Sequence, residues 1–599
     1  MHNTSSPIIA QEALNTKAST SSELTVAEFI VKQLTAWDVR RIYGVIGDAN
    51  LYLLDELSKQ TQIQYVACRH ECAAALMASA EAKLTGRVGV CLATSGPGIA
   101  NLMNGLGDAM MDGAGVLAIT GQVEATKIGT DTKQYIDQQR LLAAVAPYSA
   151  LLTHADALPY ILHKALIRSF TMGEVTHLSV PKDLYGQKVQ GQVHPYQAHL
   201  HQPVRAPREE VRAVAQLLRD AERPMLLLGR GAADAAGDAV ALAELASACV
   251  TATMPARALF PNDHRLFAGG LGQAGSEAAS ALLAASDLVV VLGATWWPED
   301  YVPAAMKLVQ VDLNRAAIGL GHPLHKGVVG DLGHFVPALL RELRDERRDR
   351  SAWETAIAEA KQSWLLRMER ECEGGIPSDQ AGNYAASDKQ DIHSNQADGS
   401  VSSDVVAQPV DLATESHEGI PPQRVMRILS RLVAEDAVIT VDTGDHSLWF
   451  NRIFQARAQD ILISGTWRTL GWALPAAIAA QLAEPERQVV AVAGDGGVVQ
   501  TLLEFVTAVE LELPITLVVL NNGSYSMERN RMLVSGLSTE GSRILNPSFT
   551  GIAEACGGRG YLSQTAEQFE TDLKEALASP QTSLIEVMTA DPIVPHTKI

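Results

Sequence analysis

Several features that mark membrane, nucleic-acid-binding or disulfide-built proteins are missing from this chain. No apolar run reaches the ~18 residues of a transmembrane helix, which argues against an integral membrane protein. Positive charge is in deficit: 48 Lys and Arg stand against 68 Asp and Glu, a formal net charge of −20, so a phosphate backbone is not an expected partner. Cysteine is scarce and scattered (Cys68, Cys72, Cys91, Cys249, Cys372, Cys556), the usage of reduced thiols in a cytoplasmic protein. Cys68-Arg69-His70-Glu71-Cys72 has no second ligand pair with which to complete a metal site. Residues 1–23 lack both an apolar signal core and transit-peptide arginines and read as a disordered lead-in. With no amphipathic tail at the end of the chain, no stable membrane anchor is expected.

What is present is a globular composition, 47% hydrophobic, spread over 599 residues, too many for one core. Short apolar strands alternate with helical stretches three times over. The expected fold is therefore α/β, three doubly wound parallel-sheet domains at 24–190, 205–345 and 420–599. Residues 346–419 read as an amphipathic helix followed by a polar, disordered linker insert.

The sharpest chemical signal lies between Val489 and Asn522. An apolar run breaks at Gly494-Asp495-Gly496-Gly497, a helical segment is expected to Leu511, and a β-branched run from Ile515 ends at Asn521-Asn522. In such a βαβ unit both strands deliver their C-terminal ends to one sheet edge, so Asp495 and Asn522 should meet. A carboxylate and an amide oxygen beside a glycine-flanked helix start suit Mg²⁺ and a diphosphate, through hard oxygen ligands and backbone N–H groups. In the middle domain Gly229-Arg230-Gly231 follows a strand, and Asp312 and Asp331 end two others, placed for ribose or adenine hydrogen bonds or for helix capping.

Combined with Arg69-His70-Glu71 after one strand and Ser95-Gly96-Pro97-Gly98 after the next, these motifs resemble those of the thiamine diphosphate (ThDP)-dependent enzymes, the pyruvate oxidase and acetolactate synthase group. The resemblance covers almost all of 24–345 and 420–599. It implies Mg²⁺ bound by Asp495, Asn522 and the Ser524 carbonyl, and a diphosphate gripped by loops carrying Gly444, His446, Gly496 and Gly497. It makes Glu71 the carboxyl that shares a proton with N1′ of the aminopyrimidine. Leu470 stands where the family usually has the methionine under the bent cofactor, and the Gly471 carbonyl where the 4′-amino group is held. Arg257, Gly272, Asp312 and Asp331 fall where flavin-containing members contact FAD. The stretches LGATWWPEDYVP, IAEACGG and DPIVPH resemble the oxidase side of the group.

One segment departs from the pattern. Where both subgroups usually show Phe-Gln-Glu after an acid, this chain has Asp131-Thr132-Lys133-Gln134-Tyr135, which leaves room for a substrate other than pyruvate. The expected activity is ThDP- and Mg-dependent decarboxylation of a 2-oxo acid, pyruvate first, with oxidation through FAD. The alternatives are carboligation to acetolactate and, remotely, a non-catalytic binding subunit. By the same resemblance Glu71 and the Asp495 loop of one site come from different subunits, so a homodimer or homotetramer is expected.

Overall fold

The computed structural model describes residues 23–272, 274–295, 306–344, 348–374 and 419–594. The expected lead-in, apart from Glu23, and most of the expected linker insert lie outside the described residues, as does 296–303 of the oxidase-like stretch.

The chain enters through β1 (Leu24–Thr25), a short ribbon strand that pairs antiparallel with β8 (Lys188–Val189). Between them lie β2 (Arg41–Gly44), β3 (Gln64–Ala67), β4 (Gly89–Ala93), β5 (Val116–Gln122), β6 (Tyr148–Leu151) and β7 (Val175–Pro181), in the order β3-β2-β4-β5-β7-β6. All pairings in this sheet are parallel. The middle sheet contains β9 (Pro224–Leu228), β10 (Cys249–Ala252), β11 (Phe267–Gly270), β12 (Leu288–Leu292), β13 (Lys307–Asp312) and β14 (Lys326–Val329). Its order is β11-β10-β9-β12-β13-β14, again parallel, which is the strand order of dinucleotide-binding folds. The last sheet contains β15 (Val438–Val441), β16 (Asp460–Ile463), β17 (Val489–Gly494), β18 (Ile515–Asn521), β19 (Arg559–Ser563) and β20 (Ser583–Met588). Its order, β16-β15-β17-β18-β20-β19, repeats the topology of the first sheet.

The central strands show why the sequence folds this way. β18 is ITLVVLN and β5 is VLAITGQ, both buried along their whole length, as strands covered by helices on both faces must be. Each sheet's order changes direction beside its first strand, so a crevice opens at the strand C-termini there: β2/β4, β9/β12 and β15/β17.

Two alanine-rich helices, Glu71–Thr85 and Ala473–Ala483, join the first and last domains in one continuous apolar core. Small side chains let their backbones approach closely. The seam also holds a buried cation: Lys83 Nζ bonds Asp108 Oδ2 at 2.8 Å, Asp112 Oδ2 at 2.7 Å and the Ile463 carbonyl at 3.1 Å. Trp472 Nε1 donates to the same Asp108 oxygen at 3.1 Å. A second buried clamp ties three regions together. Arg452 pairs with Glu277 of the middle domain at 2.7 Å and with Glu371 of the Ser351–Gly374 helix at 2.6 Å.

One sequence expectation is corrected. The single helix expected from Gly497 to Leu511 is broken: Asp495–Val498 makes one turn, Val499 to Leu503 runs as turns with Val499 and Leu503 exposed, and Glu504–Glu510 resumes. Two glycines followed by two β-branched valines are poor helix formers, and the segment after them leaves Val499 and Leu503 uncovered among the described residues.

Candidate active site

The last sheet brings Asp495 and Asn522 together at the ends of β17 and β18. Asp495 Oδ2 accepts from the Asn522 N–H at 3.2 Å, the Gly523 N–H at 2.7 Å and Asn546 Nδ2 at 2.7 Å, and Oδ1 accepts from the Gly496 N–H at 2.8 Å. Burial pushes the Asp495 carboxyl above its usual range, and these four donors pull it back. Asn522 Oδ1 accepts from the Ser524 N–H at 3.1 Å, and the Ser524 side chain is buried with its Oγ unpartnered. Among the described residues no cluster of three His, Cys, Asp or Glu side chains forms. The oxygen set available here is one carboxylate, one amide and a backbone carbonyl, a set that suits Mg²⁺, which is bound through few carboxylates and keeps other oxygens in its shell.

His446 lies behind this edge. A side chain on Gly444, whose φ is +150°, would lie 2.7 Å from its Cε1, and one on Gly494 would lie 2.9 Å from its Nδ1, so the imidazole occupies space that only glycines leave. Burial lowers the His446 pKa to about 4, and its Nε2 has no partner. A neutral ring with an unpartnered buried nitrogen, glycine backbone on both sides and the oxygen set next to it fit the diphosphate end of ThDP.

Asp442, at the end of β15, was not singled out in the sequence. Its carboxylate accepts from the Gly471 N–H at 3.1 Å, the Trp472 N–H at 3.2 Å and the Thr443 N–H at 2.8 Å, and burial raises its pKa to about 7. It fixes the turn that carries half-buried Leu470 and Gly471. A side chain on Gly497 would come within 3.0 Å of Asp442 Oδ2, so the glycine-rich start of the one-turn helix packs against this same carboxylate. The Gly471 carbonyl accepts from Thr501 Oγ1 at 2.7 Å.

Glu71 opens the Glu71–Thr85 helix, with His70 as its N-cap. Asn101 Nδ2 donates to Glu71 Oε2 at 2.9 Å, while Oε1 faces Gly98, where a Cβ would lie 3.3 Å away. Asn101 lies on the Pro97–Met111 helix, and one turn along it Asn104 Nδ2 donates to Thr469 Oγ1 at 2.8 Å and Asn104 Oδ1 accepts from Trp467 Nε1 at 2.8 Å. The Pro97–Met111 helix thus presents Glu71 and the Leu470 turn from one face. Gln134, in the departing segment, has φ +64° and packs against Gly96 of the adjoining loop.

In the middle domain, Asp312 and Asp331 end up near one another: the Gly330 N–H donates to the Asp312 carbonyl at 3.1 Å. Asp312 is buried, its carboxyl raised by that burial, and Oδ1 accepts from the Asn314 N–H at 2.7 Å. Asp331 precedes the Leu332–Leu343 helix without a side-chain cap bond. Gly272 takes φ +98°. Arg257 is buried and committed across the domain boundary, to the carbonyls of Asn451 and Phe454, the latter at 2.9 Å, and to Asn262. Burial lowers its pKa to about 10, and only Nε is left without a partner. Asp312 and Asp331 therefore stand together at the ends of β13 and β14, placed to accept from a ribose or adenine, whereas the Arg257 guanidinium is engaged in joining domains.

Comparison with known proteins matches three family models: thiamine pyrophosphate enzyme N-terminal TPP binding domain over residues 24–141, central domain over 211–339, and C-terminal TPP binding domain over 442–587. The chain is 33% identical over 571 residues to the "Putative thiamine pyrophosphate-containing protein YdaP" of Bacillus subtilis, covering 94% of this chain and 91% of that one. It is 28% identical over 598 residues to the pyruvate oxidase of Lactiplantibacillus plantarum (97% and 92% covered). It is 31% identical over 580 residues to the acetolactate synthase of Mycobacterium leprae (93% and 85% covered).

Proposed function

The chain belongs to the thiamine pyrophosphate enzyme family, and from that premise we propose that it decarboxylates a 2-oxo acid, pyruvate first, and oxidises the remaining fragment. The observation that carries the site assignment is the meeting of Asp495 and Asn522 at one sheet edge beside the unpartnered His446 nitrogen. When bound, ThDP supplies a carbon nucleophile and an electron sink, and FAD a two-electron acceptor.

The chain's own residues divide the remaining work. Asp495, Asn522 and the Ser524 carbonyl hold Mg²⁺, and the backbone of Gly444, Gly496 and Gly497 with His446 holds the diphosphate. Glu71 holds and passes a proton at Oε1, the oxygen that Asn101 leaves open. Asn101 and Asn104 keep Glu71 and the Leu470 turn in fixed relation, and Leu470 provides an apolar support under the ring system. Asp312 and Asp331 take the ribose or adenine of FAD, while Arg257 and Gly272 follow β10 and β11, on the other side of the β9/β12 crevice.

The second reading is carboligation to acetolactate, and the engagement of Arg257 with the last domain's carbonyls favours it, because that makes the middle domain a structural bridge. Anaerobic addition of pyruvate to protein loaded with ThDP, Mg²⁺ and FAD separates the two. Bleaching of the flavin supports oxidation, and accumulation of 2-acetolactate with an oxidised flavin supports carboligation.

A second copy of the chain completes the working unit. Exposed Ile46, Leu51 and Tyr52 near the end of β2, and exposed Val499, Leu503 and Leu545 near Asp495, are the apolar surface it would cover. Among the described residues no helix is long and apolar enough to cross a membrane. The place of work we propose is the cytoplasm.

A further inference from the structure

Resting on the reading of Asp495 as a magnesium ligand, we propose that Asn546 is a positioning residue that fixes the Asp495 carboxylate for the cation. Asn546 Nδ2 lies 2.7 Å from Asp495 Oδ2 and 2.9 Å from Asn521 Oδ1. Asn521 Nδ2 in turn lies 2.8 Å from Glu586 Oε1 on β20. The direction of every bond in this relay is forced. Both ends are carboxylates, which as ions only accept, so Asn521 turns its NH₂ to Glu586 and its oxygen to Asn546. Asn546 must then offer its NH₂ to both Asn521 and Asp495, using both of its N–H bonds.

The consequence falls on the two oxygens of Asp495. Oδ2 receives three donors, from Asn522, Gly523 and Asn546, while Oδ1 receives one, from Gly496. Lone-pair capacity for a cation is therefore concentrated on Oδ1, and the carboxylate is held against rotation. The donor is neutral, so it orders the ligand without competing with the cation's charge. Asn546 is itself fixed by its C-terminal neighbours. Pro547 restricts its backbone to extended conformations, Ser548 caps the Phe549–Ala555 helix by accepting from the Gly551 N–H at 3.1 Å, and Phe549 is fully buried.

Asn546→Ala takes one of the three donors from Oδ2, leaving the Asn522 and Gly523 N–H groups, so the carboxylate is held less firmly and Oδ2 regains lone-pair capacity with which to bind a cation beside Oδ1. Mg²⁺ demands near-ideal octahedral geometry and suffers from that freedom, whereas Ca²⁺ accepts bidentate carboxylates. Partners of metal ligands typically contribute about 10- to 100-fold in affinity. The test is calorimetric titration of MgCl₂, and separately CaCl₂, into full-length apoprotein saturated with ThDP, with thermal midpoints recorded alongside. The expected result is Mg²⁺ binding weakened by about 10-fold or more, Ca²⁺ binding weakened by less than about threefold, and an unchanged midpoint. Mg²⁺ affinity within about twofold of the parent overturns the proposal, and so does an equal loss for both metals accompanied by a lowered midpoint. If Asn546→Ala does not fold, Asn546→Ser, which keeps the half-buried position polar but cannot bridge Asp495 and Asn521, takes its place with the same expected outcomes. A parent protein that binds no Mg²⁺ in the presence of ThDP overturns the reading of Asp495 itself; a parent that binds beside an unaffected variant overturns only the role of Asn546.

Discussion

Glu504 accepts the backbone N–H of His70 at 3.0 Å, across 434 residues of sequence and from one end of the molecule's domain order to the other. The same Oε1 accepts the Arg69 N–H at 2.8 Å, and Thr507 donates to Oε2 at 2.8 Å. The helix that resumes after the Asp495 turn therefore holds the backbone from which Glu71 springs. Glu504→Ala leaves two amides without their acceptor, at a cost of about 1–3 kcal/mol, and loosens the start of the Glu71–Thr85 helix. We expect turnover to fall by about 10-fold or more in Glu504→Ala and to stay near parental in Glu504→Gln, which keeps an acceptor oxygen. Steady-state kinetics on the two variants checks it.

Glu71→Gln keeps the shape of the side chain and its contact with Asn101 but cannot cycle a proton. Turnover should fall by about 10²- to 10⁴-fold, the range of a positioned acid–base group, while ThDP binding measured by calorimetry changes little. An unchanged turnover would reassign Glu71 to the helix start alone.

Asp445 supplies a pH dependence of stability. Burial, reinforced by nearby Asp591, raises its carboxyl from the ordinary 3.8 to about 8, against the opposing bond from Trp449. The folded chain thus binds a proton there that the unfolded chain has released. Stability from this group is full below pH 3.8 and is lost as pH rises to about 8. Asp445→Asn cannot ionise, and its amide oxygen can still accept from Trp449. It should be more stable than the parent at pH 8.5 by at least about 1 kcal/mol, with the gap closing toward pH 5, in denaturant unfolding at the two pH values.

Glu371→Ala strips a buried partner from Arg452 and leaves the guanidinium with Glu277 and a carbonyl as its remaining bonds. Breaking a buried pair from one side costs about 3–5 kcal/mol. Because the clamp joins the middle domain, the Ser351–Gly374 helix and the last domain, the loss should appear as separated unfolding transitions in calorimetry where the parent shows more coupled ones.

The three-domain α/β architecture was legible because buried parallel strands are short β-branched runs, and the alternation with helices is unmistakable in the sequence. The pairing of Asp495 with Asn522 was legible for the same reason: both stand at ends of adjacent strands in one βαβ unit. Asp442 stands at the end of an apolar strand too, and that rule, applied to VITVD, would have found it. Asn546 was out of reach because its partner lies 51 residues away and the contact depends on how the intervening segment folds back over Gly523. Its signal was local and weak, an asparagine before Pro547 and the cap Ser548. The break between Val498 and Glu504 was missed because apolar periodicity continued through residues that this chain leaves exposed.

ThDP-dependent decarboxylation at the Asp495 site is tested by the release of CO₂ from pyruvate and related 2-oxo acids by the full chain loaded with ThDP and Mg²⁺, measured beside Asp495→Ala. Steady release is expected from the parent with at least one 2-oxo acid, with a loss of about 10³-fold or more in the variant. No release from the parent with any of them, or equal release from both proteins, would contradict it.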